Sequence, residues 1–306
     1  MRTTRRTFLQ GSVAATVATA LSPVAAHAQD KTAASRRIPS TGEMIPAVGL
    51  GTWITFNVGN DPLLRDECAA VMGAFFDAGG RMIDSSPMYG SSQPVIGYGL
   101  QKFGRPEALF SAEKVWTSSG ANGPRQIEQS SAFWGVPRFD LIQVHNLVAW
   151  EEHLRTLLEM KRAGSVRYVG LTTSEGRRHD LLERIMRNEP IDFVQFSYNV
   201  VDREAERRLL PLAAERGLGV IVNRPFRQGE LTRRLAGKRL PGWAADLGVA
   251  SWAQFILKFI LSHPAVTVAI PATTRVDHVR ENLAAATGPM PDPAMRERMA
   301  AYVQDL

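Results

Sequence analysis

At 306 residues with 44% hydrophobic content, the chain can bury a full core and falls in the range of one large α/β barrel or two small domains. Its formal charge of +6 is not the footprint of a nucleic-acid-binding surface, because Arg2, Arg5 and Arg6, in a leader without an acidic residue, account for half of it. Cys68 is the one cysteine, which excludes an intramolecular disulfide in any compartment.

Met1 to Ala28 reads as a cleavable signal peptide. Thr4-Arg5-Arg6-Thr7-Phe8-Leu9 closely resembles the twin-arginine export signal, and Ala26-His27-Ala28 offers a small-x-small cleavage site. Gly11 and Pro23 shorten the apolar run below the ~20 residues of a membrane span, so no stable membrane insertion is expected. The resemblance implies a protein that folds, often around a cofactor, before the twin-arginine (Tat) export machinery carries it to the periplasm or otherwise out of the cytoplasm.

Residues 29–46 are polar, with Gly42 and Pro46 as breakers, and are expected to form a linker and an N-terminal hairpin. Residues 47–306 then alternate between strand and helix. Apolar runs predict strands at 47–53, 82–83, 108–114, 139–145, 166–171, 191–195, 219–222 and 266–270. Between them the spacing predicts helices: one around Cys68, ended by Gly79-Gly80, and others at 92–103, 124–134, 151–163, 178–188, 204–216 and 250–262. Helices at 276–286 and 293–303 close the chain. Eight short strands, each followed by a helix, predict a single-domain (β/α)8 TIM barrel. A doubly wound sheet would carry a glycine fingerprint after its first strand, but Gly49-Leu50-Gly51 is followed by Ile54 where the third glycine belongs.

Barrel enzymes build their sites at the carboxyl ends of the strands, so the residues that close apolar runs carry the most information. Here they are Asp84, Lys114 and His145, on the second, third and fourth strands, with Tyr89 in the loop after the first of them. A carboxylate at the end of a buried strand calls for a cation, because an unpaired one costs several kcal/mol to desolvate. The remaining histidines, His27, His153, His179, His263 and His278, show no zinc spacing, so no metal site is expected.

This constellation resembles the aldo/keto reductase family, whose pattern of Asp, a Tyr followed by Gly, Lys and His matches Asp84, Tyr89-Gly90, Lys114 and His145. Gly49-Leu50-Gly51-Thr52-Trp53, Tyr168-Val169-Gly170-Leu171, and Ile270-Pro271 continuing to Glu281-Asn282 are similar to further family stretches. The resemblance implies an oxidoreductase that moves hydride between a nicotinamide cofactor and an aldehyde or ketone. Hydride transfer to a carbonyl leaves an alkoxide that must be protonated as it forms. A phenol with a reference pKa of about 10 is a sluggish acid, so Lys114 is expected to pull Tyr89 down, with Asp84 holding the lysine charged. His145 would orient the substrate oxygen beside Tyr89.

For the cofactor, the resemblance implies Gln195, with Thr172 and Thr173 in place of the usual Ser-Asn pair, around the nicotinamide amide. Asn223-Arg224-Pro225-Phe226 stands where relatives carry a stacking tyrosine in a Tyr-Ser-Pro-Leu context. After the eighth strand, Ala272 and His278 occupy the positions where the family often places Lys and Arg against the 2′-phosphate of NADPH. Thr273, Thr274, Arg275 and Asn282 remain as phosphate and adenine contacts at the start of a helix. The expected cofactor is NADPH, with NADH as the alternative. Trp53, Met88, Trp116 and Asn146 are expected to line the mouth of a pocket for a small carbonyl compound. Asn223, Ala272 and the export signal leave open a second reading, a non-catalytic barrel that binds a nucleotide as a sensor or partner subunit.

Overall fold

The structure, a computed structural model, describes residues 34–306. The expected signal peptide, residues 1–28, and residues 29–33 of the expected linker lie outside the described residues.

An antiparallel hairpin comes first, β1 (Ser35–Arg37) paired with β2 (Met44–Pro46). Eight parallel strands follow in chain order: β3 (Leu50–Gly51), β4 (Met82–Asp84), β5 (Phe110–Val115), β6 (Phe139–His145), β7 (Val166–Thr172), β8 (Phe193–Ser197), β9 (Gly219–Asn223) and β10 (Val268–Ala269). Each pairs with its sequence neighbour. Parallel bridges from Val48 to Ala269 and from Gly51 to Ala272 join the first strand to the last and close the barrel. The approach at that seam is tight enough to require glycine, since a Cβ on Gly51 would stand 2.7 Å from the carbonyl oxygen of Ile270.

The helices between the strands are α1 (Pro62–Asp77), α2 (Ser92–Phe103), α3 (Gly123–Trp134), α4 (Trp150–Arg162), α5 (His179–Asn188), α6 (Leu209–Arg216), α7 (Glu230–Leu235) and α8 (Trp252–Leu261), and α9 (Val276–Ala284) and α10 (Pro293–Gln304) follow the last strand. Short polar side chains set several of their starts. Asp61 accepts from the backbone N–H groups of Leu63 and Leu64, Ser251 from Gln254, and Asp292 from Met295. No helix among the described residues is long and apolar enough to cross a membrane.

Three differences from the sequence-based expectation have local causes. The strand expected at 47–53 is ladder-paired only at Leu50–Gly51, because it meets the last strand through single bridges at Val48 and Gly51 alone. The helix expected at 204–216 is a 3₁₀ turn at Glu204–Glu206 and then α6, because Pro211 lacks an N–H and is accommodated only in a first helical turn. The connection through Pro241 holds α7 and a 3₁₀ turn at Gly242–Leu247, both too short to show periodicity.

Two apolar cores follow from the period-two alternation of strands. Ile83, Val115, Ile142, Val144, Val169, Leu171, Val194, Val220 and Val222 point outward to the helices. Met82, Phe110, Ala112, Leu141, Tyr168, Phe193, Ile221 and Val268 fill the interior, where Ile38 and Ile45 of the hairpin region join them as a plug. Glu43 latches that plug: it accepts from Tyr168 Oη at 2.8 Å and pairs with Arg81 at 3.2 Å and with Arg167.

Candidate active site

Continuing the inward-facing positions toward the carboxyl ends replaces apolar side chains with polar ones. Met82 leads to Asp84, Ala112 to Lys114, Leu141 to Gln143 and His145, Tyr168 to Gly170 and Thr172, Phe193 to Gln195 and Ser197, and Ile221 to Asn223. Strand register sets them side by side: Gly51 pairs with Asp84, Lys114 with Gln143, His145 with Thr172, Thr172 with Gln195, and Ser197 with Asn223.

Asp84 and Lys114 are both buried, with Lys114 Nζ 2.5 Å from Asp84 Oδ1 and 2.8 Å from the carbonyl oxygen of Ser85. Gln143 and Gln195 donate from Nε2 to the other carboxylate oxygen at 3.1 and 2.9 Å. Burial is the largest single influence and opposes the ammonium, but the Asp84 charge and hydrogen bond, with Tyr89 and Glu113, together outweigh it and hold the Lys114 pKa above its ordinary value. Lys114 Nζ lies 5.0 Å from the centroid of the Tyr89 ring. His145 stands edge-on to the same ring, 5.7 Å between centroids.

The titration of this group differs from the sequence-based expectation in one respect. Burial raises Tyr89, Lys114 pulls it down and Asp84 pushes it up again, leaving the phenol at about 12. Lys114 acts in the expected sense but is outweighed by burial, to which the Asp84 charge adds. Burial, and then the Lys114 charge, drive His145 down to about 2, so its imidazole is neutral at physiological pH.

A cavity of about 850 Å³ opens above these groups. It is lined by Asp84, Tyr89 and His145, by Trp53, Met88 and Asn146, by Thr172, Gln195, Asn223, Arg224, Pro225 and Phe226, and by Thr273, Thr274, Arg275 and Asn282. Three of the expected residues stand apart from that lining. Lys114 lies fully buried beneath it. Thr173 is buried, with its hydroxyl lacking a hydrogen-bond partner among the described residues. Trp116 is 41% exposed, its backbone held at both N–H and C=O by Gln126, and its ring is 6.5 Å from that of His145.

Gln195 connects the ends of the site. Besides donating to Asp84, it accepts from Thr172 at 3.0 Å and from Asn223 at 3.3 Å, and its amide nitrogen keeps a second proton. The loop after β9 places Arg224, Arg227 and Gln228 in the left-handed region, at φ values of 51°, 49° and 58°. Such backbone persists where its surroundings over-determine it. Arg224 pairs with Glu175 at 2.8 Å and Arg227 with Asp202 at 3.3 Å.

The cavity wall also includes Ile54, Arg177, Arg233, Trp252, His278 and Glu281, and Ser86 sits behind His145. Gln143 was within reach of the sequence, being two residues before His145 on the same face of one strand. Arg233 was not, because it belongs to the short helix α7.

Residues 47–301 match the family described as the aldo/keto reductase family. The methylglyoxal reductase YeaE of Escherichia coli (strain K12) is 28% identical over 247 residues, covering 78% of this chain and 85% of its own. An NADH-specific methylglyoxal reductase of the same organism is 26% identical, over 74% and 78%. Among solved structures, an aldo-keto reductase from Klebsiella pneumoniae in complex with NADPH superposes with a TM-score of 0.74, covering 89% of this chain and 95% of that one; at 21% identity it speaks for the fold alone.

Proposed function

The chain belongs to the aldo/keto reductase family, and we propose that Tyr89, Lys114, Asp84 and His145 carry out its nicotinamide-dependent carbonyl reduction on a small aldehyde or ketone, with NADPH as the hydride donor. The observation that carries these roles is the buried Lys114–Asp84 pair beneath the Tyr89 ring, with a neutral His145 on its flank.

The donor set fits a nicotinamide dinucleotide. At the end near the catalytic group, Thr172 and the free amide proton of Gln195 suit a carboxamide. At the far end, Arg233, Arg275 and the N-terminus of α9 suit phosphate, with Thr273, Thr274 and Asn282 beside them. When bound, the cofactor supplies the hydride. The chain's own groups do the rest. Tyr89 holds its proton in the resting site and gives it from Oη to the developing alkoxide. Lys114 stabilises the phenolate left behind, and Asp84 with its two glutamine donors fixes the lysine. His145 is neutral and so does not serve as the acid; its N–H orients the carbonyl oxygen.

Trp53, Met88 and Asn146 give the mouth two apolar walls and one amide, which suits a compact carbonyl compound such as the methylglyoxal of the named relatives. Titrating the protein with NADPH and NADH, followed by tryptophan fluorescence and then methylglyoxal reduction, tests this reading. Saturable quenching with turnover is expected; quenching without turnover on methylglyoxal or a panel of small aldehydes and ketones would favour a non-catalytic barrel.

The Thr4-Arg5-Arg6-Thr7-Phe8-Leu9 motif supports recognition by the Tat export machinery and a periplasmic location. Changing both Arg5 and Arg6 to Lys is expected to leave the protein in the cytoplasmic fraction, and unchanged export would refute it.

A further inference from the structure

Ser86 is fully buried beyond the end of β4. Its Oγ lies 2.7 Å from Nδ1 of His145 and accepts the backbone N–H of Met88 at 3.2 Å. Those are its hydrogen-bond partners among the described residues. The Met88 amide can only donate, so the serine's own proton has one acceptor, the ring nitrogen.

We infer that Ser86 is a positioning residue: by donating to Nδ1 it holds His145 in the neutral tautomer whose proton sits on Nε2, the nitrogen left for the substrate carbonyl. The opposite tautomer would aim two N–H groups at one hydroxyl and leave a buried O–H with nothing to donate to. His145 has no escape through a second proton, since burial and the Lys114 charge keep the ring neutral. Near His145 the charged and titratable groups are Lys114, Asp84 and Tyr89. Among the described residues none of them hydrogen-bonds Nδ1, which leaves the choice of tautomer to the hydroxyl. With the proton on the wrong nitrogen, a carbonyl oxygen beside Tyr89 would meet a lone pair in place of a donor.

The inference rests on the reductase reading of the site, but its primary measurement does not depend on turnover. In the full chain labelled with ¹⁵N-histidine, long-range ¹⁵N–¹H correlations, assigned by loss of signals in His145→Gln, should show Nε2 protonated and Nδ1 bare. In Ser86→Ala the two nitrogens should move toward averaged shifts. Its kcat/KM should fall roughly three- to tenfold, the worth of one neutral hydrogen bond, with NADPH affinity unchanged. Ser86→Cys keeps the volume but offers a poor donor, and should follow the alanine variant. A protonated Nδ1 in the unmodified chain, a Ser86→Ala spectrum identical to it, or full activity in Ser86→Cys would each overturn the inference. Failure of the reductase reading would show separately, as no turnover in a chain whose tautomer is as expected.

Discussion

Asp84→Asn and Lys114→Met remove opposite halves of one buried ion pair, and their costs to stability should be unequal. Lys114 without Asp84 keeps one hydrogen bond, to the carbonyl of Ser85 at 2.8 Å, with the Tyr89 ring face 5.0 Å away and Glu113 as weaker support. Asp84 without Lys114 keeps two amide donors, Gln143 at 3.1 Å and Gln195 at 2.9 Å. An asparagine at position 84 can turn its oxygen to the lysine or to the glutamines but not to both, so a donor meets a donor either way. Stranding a buried charge costs about 3–5 kcal/mol, a large share of the roughly 5–15 kcal/mol that holds a domain folded. Asp84→Asn should fall in that range. Lys114→Met should cost about 1–3 kcal/mol, because the carboxylate's hydrogen bonds remain and the new side chain fills the space. Urea unfolding followed by tryptophan fluorescence at pH 7 gives both numbers. Equal costs, or a larger cost for Lys114→Met, would refute the asymmetry and with it the idea that the glutamines hold the carboxylate.

Two further expectations concern pH. Burial, opposed by the Gln93 hydrogen bond, raises Glu113 from 4.5 to about 7; on the outer face of β5 it accepts from Gln93, Trp134 and the Lys114 backbone. The folded chain therefore holds a proton that the unfolded chain has lost between those values. Stability from this group is fully present below pH 4.5 and declines as pH rises to 7, by roughly 3 kcal/mol in all. Glu113→Gln should flatten that decline in urea midpoints measured from pH 4.5 to 8, and an unchanged slope would contradict it. Second, with His145 near 2 and Tyr89 near 12, carbonyl reduction should show no kcat limb between pH 5 and 9 from either group. A limb near pH 6.5 that disappears in His145→Gln would make the histidine the acid.

The barrel was legible because its strands are short apolar runs punctuated by glycine and by charged or polar closing residues, and the hydrophobic alternation needs no partner to be seen. Asp84, Lys114 and His145 stood out for the same reason: each interrupts an apolar run where a buried strand has no cause to be polar. What escaped was set in three dimensions. Gln143 could be placed on the inward face with His145, but its hold on the Asp84 carboxylate follows only once β4, β5 and β6 are in register. Ser86 looks like a turn serine until the histidine 59 residues on is folded against it. The net rise of Tyr89 depends on how deeply the loop after β4 is buried, which a linear pattern does not state. Trp116 follows the lysine in the manner of a pocket wall, yet it is 41% exposed and off the cavity lining, while Gln126 holds its backbone.

Tyr89→Phe deletes one oxygen and leaves the Lys114–Asp84 pair, His145 and the cavity wall in place. Steady-state reduction of methylglyoxal by this variant, alongside its NADPH affinity from fluorescence titration, should show kcat lowered by about 10²-fold or more with the affinity essentially unchanged. Retention of kcat within a few-fold would show that the proton comes from elsewhere.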